Sequence, residues 1–146
     1  ILISKSRKKL YLLNQGRILN DYSVSFGFGF NQGAKLKRGD GRTPEGTYKV
    51  EFKYADSAYH KALKISYPDA EDKAQSTVYG FDPGGDIMIH GFPNADIGGL
   101  KRSYVQKNHL LANWTQGCVA VTDSEIDQIF SLVAEEAAIE ICPLDN

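Results

Sequence analysis

The chain has 146 residues, 42% of them hydrophobic, and its 17 Lys and Arg against 18 Asp and Glu leave a formal net charge of -1. That length supports one hydrophobic core and is short for two, so residues 1–146 are read as a single domain. The balanced charge excludes a nucleic-acid binder that must neutralise many phosphates, and no apolar run is long enough to span a bilayer.

Ile1 to Ser6, Lys8 to Leu13 and, after a turn at Asn14-Gln15-Gly16, Arg17 to Phe26 read as strands of a meander or hairpin. A start inside the strand-like run Ile1-Leu2-Ile3-Ser4 implies a processed chain whose leader has been removed. Lys5-Ser6-Arg7-Lys8-Lys9 is the one local basic cluster and is expected to decorate a solvated face. Gly27-Phe28-Gly29-Phe30-Asn31-Gln32-Gly33 has the wrong glycine spacing for a dinucleotide fingerprint, and no helix follows it. In the charged loop Gly39-Asp40-Gly41-Arg42-Thr43-Pro44-Glu45-Gly46, Asp40 and Arg42 are expected to pair, with direct substrate contact by Arg42 as the alternative.

Thr47 to Phe52 alternates as a half-buried strand, and Leu63 to Tyr67 is the next, ended by Pro68. The acids after Pro68 start a short surface helix that Gly80 and Pro83 terminate. Gly84 to Gly91 is a short apolar strand ending in His90. The polar insertion 92–113 is expected to form a lid, with His109 as a solvated loop residue and with Lys101 and Arg102 able to meet a substrate carboxylate. Thr122-Asp123-Ser124-Glu125 has capping-box spacing, and Ile126, Ile129, Phe130 and Val133 give one apolar face to a helix from Ser124 to Glu136. Ala138 to Cys142 is the terminal strand, in which Cys142 is expected to be a buried bystander. These elements make the fold mainly β, a sandwich or barrel of mixed strands with one or two helices packed outside.

Cys118 lies in Trp114-Thr115-Gln116-Gly117-Cys118-Val119-Ala120-Val121, between a polar approach and an apolar strand. The glycine before the thiol admits a substrate backbone, and amides at such a corner can be turned toward an oxyanion. A free thiol is only a few per cent ionised at neutral pH, and a positioned imidazole is the usual remedy. His90, held against Gly91, is the candidate base. Trp114 either walls the cleft or packs in the core. His60, His90 and His109 and the two cysteines lack close ligand spacing, so neither a metal nor a cofactor is called for.

These residues resemble the L,D-transpeptidases with a YkuD-like catalytic domain, which act on bacterial peptidoglycan. The resemblance rests on His90-Gly91 followed by Thr115-Gln116-Gly117-Cys118-Val119, and on the Gly39 to Gly46 loop. Ile65-Ser66-Tyr67-Pro68 and Gly84 to Gly91 resemble one proteobacterial branch. Gln116 and Ala120 depart from the cationic or polar residues common at those positions. The resemblance implies a YkuD-like fold and an acyl-enzyme on Cys118, with His90 as base and Gly91 as the carbonyl that orients it. It places the oxyanion at the amides near Gly117 and Cys118; Arg42, Trp114, Gln116 and Arg102 are the candidate substrate contacts. It implies peptidoglycan stem peptides as substrate, with a D-amino acid or a lipoprotein among the partners, and a periplasmic or envelope-facing location. Transpeptidation, hydrolysis at the same site (an L,D-carboxypeptidase, or an amidase releasing a lipoprotein) and a non-catalytic wall-binding module remain open at this point.

Overall fold

The computed structural model describes residues 1–144. Eight strands form one sheet in the order β3-β2-β1-β8-β4-β5-β6-β7: β1 Leu2–Ser4, β2 Lys9–Asn14, β3 Arg17–Ser23, β4 Gly46–Ser57, β5 His60–Ile65, β6 Met88–His90, β7 Val119–Ala120 and β8 Ala138–Cys142. The β1–β8 and β6–β7 pairs are parallel and the remaining pairs antiparallel. Register irregularities in β4, between Val50 and Phe52 and between Tyr54 and Ser57, bend the sheet. The chain leaving β3 then reaches the other end of the order, where Ser25 and Ala120 exchange both backbone hydrogen bonds, at 3.0 and 2.9 Å. The sheet therefore curls toward closure, and the mixed-strand fold expected from the sequence is the one observed.

The concave side is filled by alternate residues of these strands: Ile3, Leu10, Val50, Leu63, Ile65, Ile89, Ile139 and Ile141 are all buried. Each such side chain contributes about 1.5–3 kcal/mol relative to exposure.

Three α-helices lie outside the sheet. α1, Ala70–Val78, is capped by Asp69, whose carboxylate accepts from the Asp72 amide while Asp72 accepts from that of Asp69. α3, Asp123–Leu132, starts from the corresponding exchange between Thr122 and Glu125 and buries Ile126 and Ile129. It ends four residues short of Glu136, because the Glu136 amide donates to Val50 O at 2.8 Å and Val50 N–H donates to Ala137 O at 2.9 Å. Pairing with β4 outcompetes another helical turn. α2, Arg102–Asn108, lies in the 92–113 insertion; it buries only Val105 and therefore shows no apolar period. Among the described residues no helix is long and apolar enough to cross a membrane.

Four local expectations are corrected. Lys5 is not on a solvated face: it is 1% exposed, and its ammonium donates to Thr43 O at 2.6 Å, Glu45 Oε1 at 2.9 Å and Gly33 O at 3.2 Å. His109 is buried, not solvated. Asp40 does not pair with the Arg42 guanidinium: its carboxylate takes Lys35 Nζ at 2.8 Å and the amides of Leu36, Lys37 and Arg42. A short carboxylate satisfies its own turn's donors before it reaches a neighbouring side chain. Cys142, opposite Ser4 in the β1–β8 pair, is half-buried.

Candidate active site

Cys118 immediately precedes β7 and His90 ends β6. The parallel register pairs Ile89 with Val119 and His90 with Ala120, so extending it by one residue sets Cys118 opposite Met88. Side chains two residues apart share a face, so His90 and Cys118 lie on one side of the sheet, offset by two residues across one interstrand gap. Strand spacings make their α-carbon separation roughly 8 Å, which a thiol and an imidazole pointing from the same face can span. Both line a cavity of about 630 Å³, together with Tyr59, Trp114, Gln116 and the loop residues Pro93, Ile97 and Leu100.

The corner bearing the thiol is held by main-chain contacts. Gly117 has φ +136°, and a Cβ there would stand 2.7 Å from Arg42 O and 3.1 Å from Ile87 Cδ1. Gly27 packs equally closely from the other side, where a Cβ would meet Gly41 O and stand 2.7 Å from Gly117 N. Gly27, in the segment that fits no dinucleotide fingerprint, thus serves a backbone-to-backbone junction beneath the Cys118 corner. The Gly117 amide donates to Thr115 Oγ1 at 3.2 Å, and that hydroxyl donates to Cys118 O at 2.7 Å. Gly117 therefore shapes the corner, and its own amide is committed inside the turn rather than turned toward an oxyanion.

The Cys118 thiol accepts from Met88 N–H at 3.4 Å and donates to Asp86 O at 3.5 Å. Burial pushes its pKa up to about 11; the Met88 amide and the Lys35 charge work against that rise, and the Asp86 carboxylate adds to it. His90 is 3% exposed, and its Nδ1 lies 2.7 Å from Gly91 O. A carbonyl only accepts, so the hydrogen sits on Nδ1 and Nε2 carries the basic lone pair. Burial pushes the His90 pKa down to about 4, against the Gly91 hydrogen bond, with a further small depression from His109. Tyr59 lies 4.3 Å from the imidazole between ring centroids and Trp114 lies 5.6 Å away, nearly edge-on.

This buried histidine has a measurable consequence. Because the folded pKa lies below the ordinary value near 6.5, the unfolded chain binds the extra proton between pH 6.5 and 4. His90 thus contributes stability that is complete above pH 6.5 and falls as pH is lowered through that window, by about 3 kcal/mol. Urea unfolding at pH 7 and pH 4 should show that much less pH dependence in His90→Gln than in the parent; equal slopes would contradict a buried neutral imidazole.

The other site expectations separate spatially. Trp114 and Gln116 line the cavity with the thiol. Trp114 Nε1 donates to His109 Nδ1 at 3.3 Å, so the buried His109 orients the cavity wall, a role nothing in its sequence surroundings signals. Arg42 lies behind the corner, with its carbonyl against Gly117 and its Nη1 donating to Ala34 O at 3.4 Å. Arg102 braces the loop that walls the cavity: its Nε donates to Pro93 O at 2.8 Å, its amide to Asp96 Oδ1 at 2.9 Å, and its Nη2 lies 3.6 Å from Asp123 Oδ2. Asp123 Oδ1 in turn accepts from Phe92 N–H at 2.8 Å, fixing the chain just after His90 and Gly91.

A thiol just ahead of one strand and an imidazole at the end of its parallel neighbour, opening on one cavity of a curled mixed sheet, define a candidate cysteine enzyme. The chain belongs to the YkuD family of L,D-transpeptidase catalytic domains, whose model matches residues 1–141. YafK of Escherichia coli, provisionally named an L,D-transpeptidase, is 32% identical over 121 residues, which cover 82% of this chain and 39% of YafK. The chain thus spans about two fifths of the length of the curated relatives it matches. Among solved structures, the helical cell shape determining protein Pgp2 of Campylobacter jejuni superposes with TM-score 0.70 at 24% identity, over all of this chain and 48% of that one. An L,D-transpeptidase from Mycobacterium smegmatis gives TM-score 0.59 at 13% identity, over 96% of this chain and 56% of that one. At these identities the likeness is one of fold.

Proposed function

We propose that this chain is a cysteine acyltransferase acting on peptidoglycan stem peptides. The observation that carries the reading is the placement of Cys118 and His90 on one face of β6 and β7, at a common cavity, with Gly91 O fixing the imidazole tautomer. In this reading His90 Nε2 takes the thiol proton as Sγ attacks the carbonyl that follows the L-centre of the stem-peptide diamino acid. The oxyanion is held by the Cys118 amide, since the Gly117 amide is already committed to Thr115. The intermediate collapses to a thioester, and the imidazolium returns its proton to the departing D-amino acid. An incoming amine, from another stem peptide, a D-amino acid or a lipoprotein lysine, then attacks the thioester carbonyl and passes its proton to His90. Water in place of the amine gives hydrolysis.

Peptidoglycan lies outside the cytoplasmic membrane, so this reading places the domain in the periplasm or facing the cell envelope. Incubation with purified muropeptides and a D-amino acid, followed by mass spectrometry, tests it. Incorporation of the added amino acid is the expected result; loss of the terminal residue without incorporation would make the same site hydrolytic, and no product of either kind would leave only a wall-binding module.

A further inference from the structure

Cys118 lines two cavities. Beyond the cavity it shares with His90 lies a smaller one of about 240 Å³, lined by Lys35, Arg38, Asp86, Gln116 and Cys118, with three glycines among the remaining wall residues. Burial opposes ionisation of the thiol, and the residues flanking it, Gln116 and Val119 to Val121, carry no charge. Apart from the imidazolium that forms on His90, any fixed cation favouring a thiolate here must come from elsewhere in the fold.

We propose that Lys35 is that cation, a positioning residue that favours the Cys118 thiolate from across the smaller cavity. The proposal rests on the reading of Cys118 as the nucleophile. The Lys35 side chain is 3% exposed, and two of its three N–H donors are taken by Asp40 Oδ1 at 2.8 Å and Lys37 O at 3.1 Å. Asp40 is itself anchored by the amides of Leu36, Lys37 and Arg42, so the loop fixes where the ammonium stands.

The other charges around the cavity are less suited to the task. Arg38 is at the exposed rim and pairs with Asp82 at 2.8 Å, where solvent and salt screen it. Asp86 is exposed and has the wrong sign; Arg42 sends its guanidinium toward Ala34 O. His90, on the side of the larger cavity, is neutral at rest. Lys35 and Asp86 are the two charges that register at the thiol, Lys35 favouring its ionised form. During ionisation the thiol proton passes to His90 Nε2, and Lys35 acts through its field alone.

The test is the pH profile of Cys118 alkylation by iodoacetamide, followed at that cysteine by peptide mass spectrometry. Lys35→Met should move the midpoint upward and slow alkylation at pH 8 about tenfold, the equivalent of one pKa unit. Lys35→Arg, which keeps the charge, should retain the parent profile. The double variant Lys35→Met, Asp40→Asn leaves no unpaired buried carboxylate and should fold where the single variant does not; it should keep the raised midpoint. Asp40→Asn alone should not raise it. A parental midpoint in the double variant, or an Asp40→Asn shift as large as that of Lys35→Met, would overturn the proposal, the latter by reducing it to loop packing. A parent in which Cys118 never alkylates would overturn the nucleophile reading and this proposal with it. An unmoved midpoint in a protein that still alkylates would leave the nucleophile reading standing and overturn the role of Lys35.

Discussion

Cys118→Ser is expected to lower turnover of stem-peptide substrates at least about a thousandfold while leaving the thermal unfolding midpoint close to that of the parent. A serine hydroxyl replaces the thiol with little change in size, so the corner at Gly117 and the β7 pairing have no reason to move. The chemistry changes far more. His90 is a weak base because burial pushes its pKa down to about 4, and a hydroxyl is much harder to deprotonate than the thiol, even with the latter pushed up to about 11. A variant that retains a tenth of the parental rate would remove the thiol from the mechanism. A variant that unfolds would show that Cys118 is there for packing.

Gly117→Ala should carry a large stability cost, about 4 kcal/mol by urea unfolding. Two effects add. The backbone sits at φ +136°, which L residues rarely adopt, and the new methyl would stand 2.7 Å from the Arg42 carbonyl and 3.1 Å from Ile87 Cδ1. Neither neighbour can yield cheaply: Arg42 belongs to the loop knit together by Asp40, and Ile87 is buried in the core. Relief would come from displacing the Cys118 corner, so the folded fraction should also lose activity. An unchanged urea midpoint would mean that the Gly27, Gly41 and Gly117 junction is loose.

The parts of the fold legible in the sequence were those encoded locally. The capping-box spacing at Thr122 and Glu125 and the i, i+3 apolar face found α3, and the alternation of Ala138 to Cys142 found β8. Where α3 ends was set by Val50, more than 80 residues away in sequence, and no local signal records that. Lys5 shows the same limit: within a basic run it is indistinguishable from its solvated neighbours, and only the carbonyls of Gly33 and Thr43 and the carboxylate of Glu45 bury it.

At the site, residue types and flanking glycines singled out Cys118 and His90, but their shared face follows from the parallel pairing of β6 with β7 across the insertion. Arg42 and Arg102 were singled out for charge, and the structure puts both into bracing roles, one behind the Cys118 corner and one beneath the cavity wall. Lys35 drew no attention because its significance depends on a cavity assembled from three separate segments.

In the proposed reaction the Cys118 sulfur becomes covalently acylated. Intact-protein mass spectrometry after incubation with a stem tetrapeptide, with no acceptor amine present, tests it most directly. The predicted result is an added mass equal to the peptide minus its terminal D-amino acid, located on Cys118, removed by hydroxylamine and absent from Cys118→Ser. Product formation by a protein that never carries that mass, or an adduct mapped to Cys142, would contradict it.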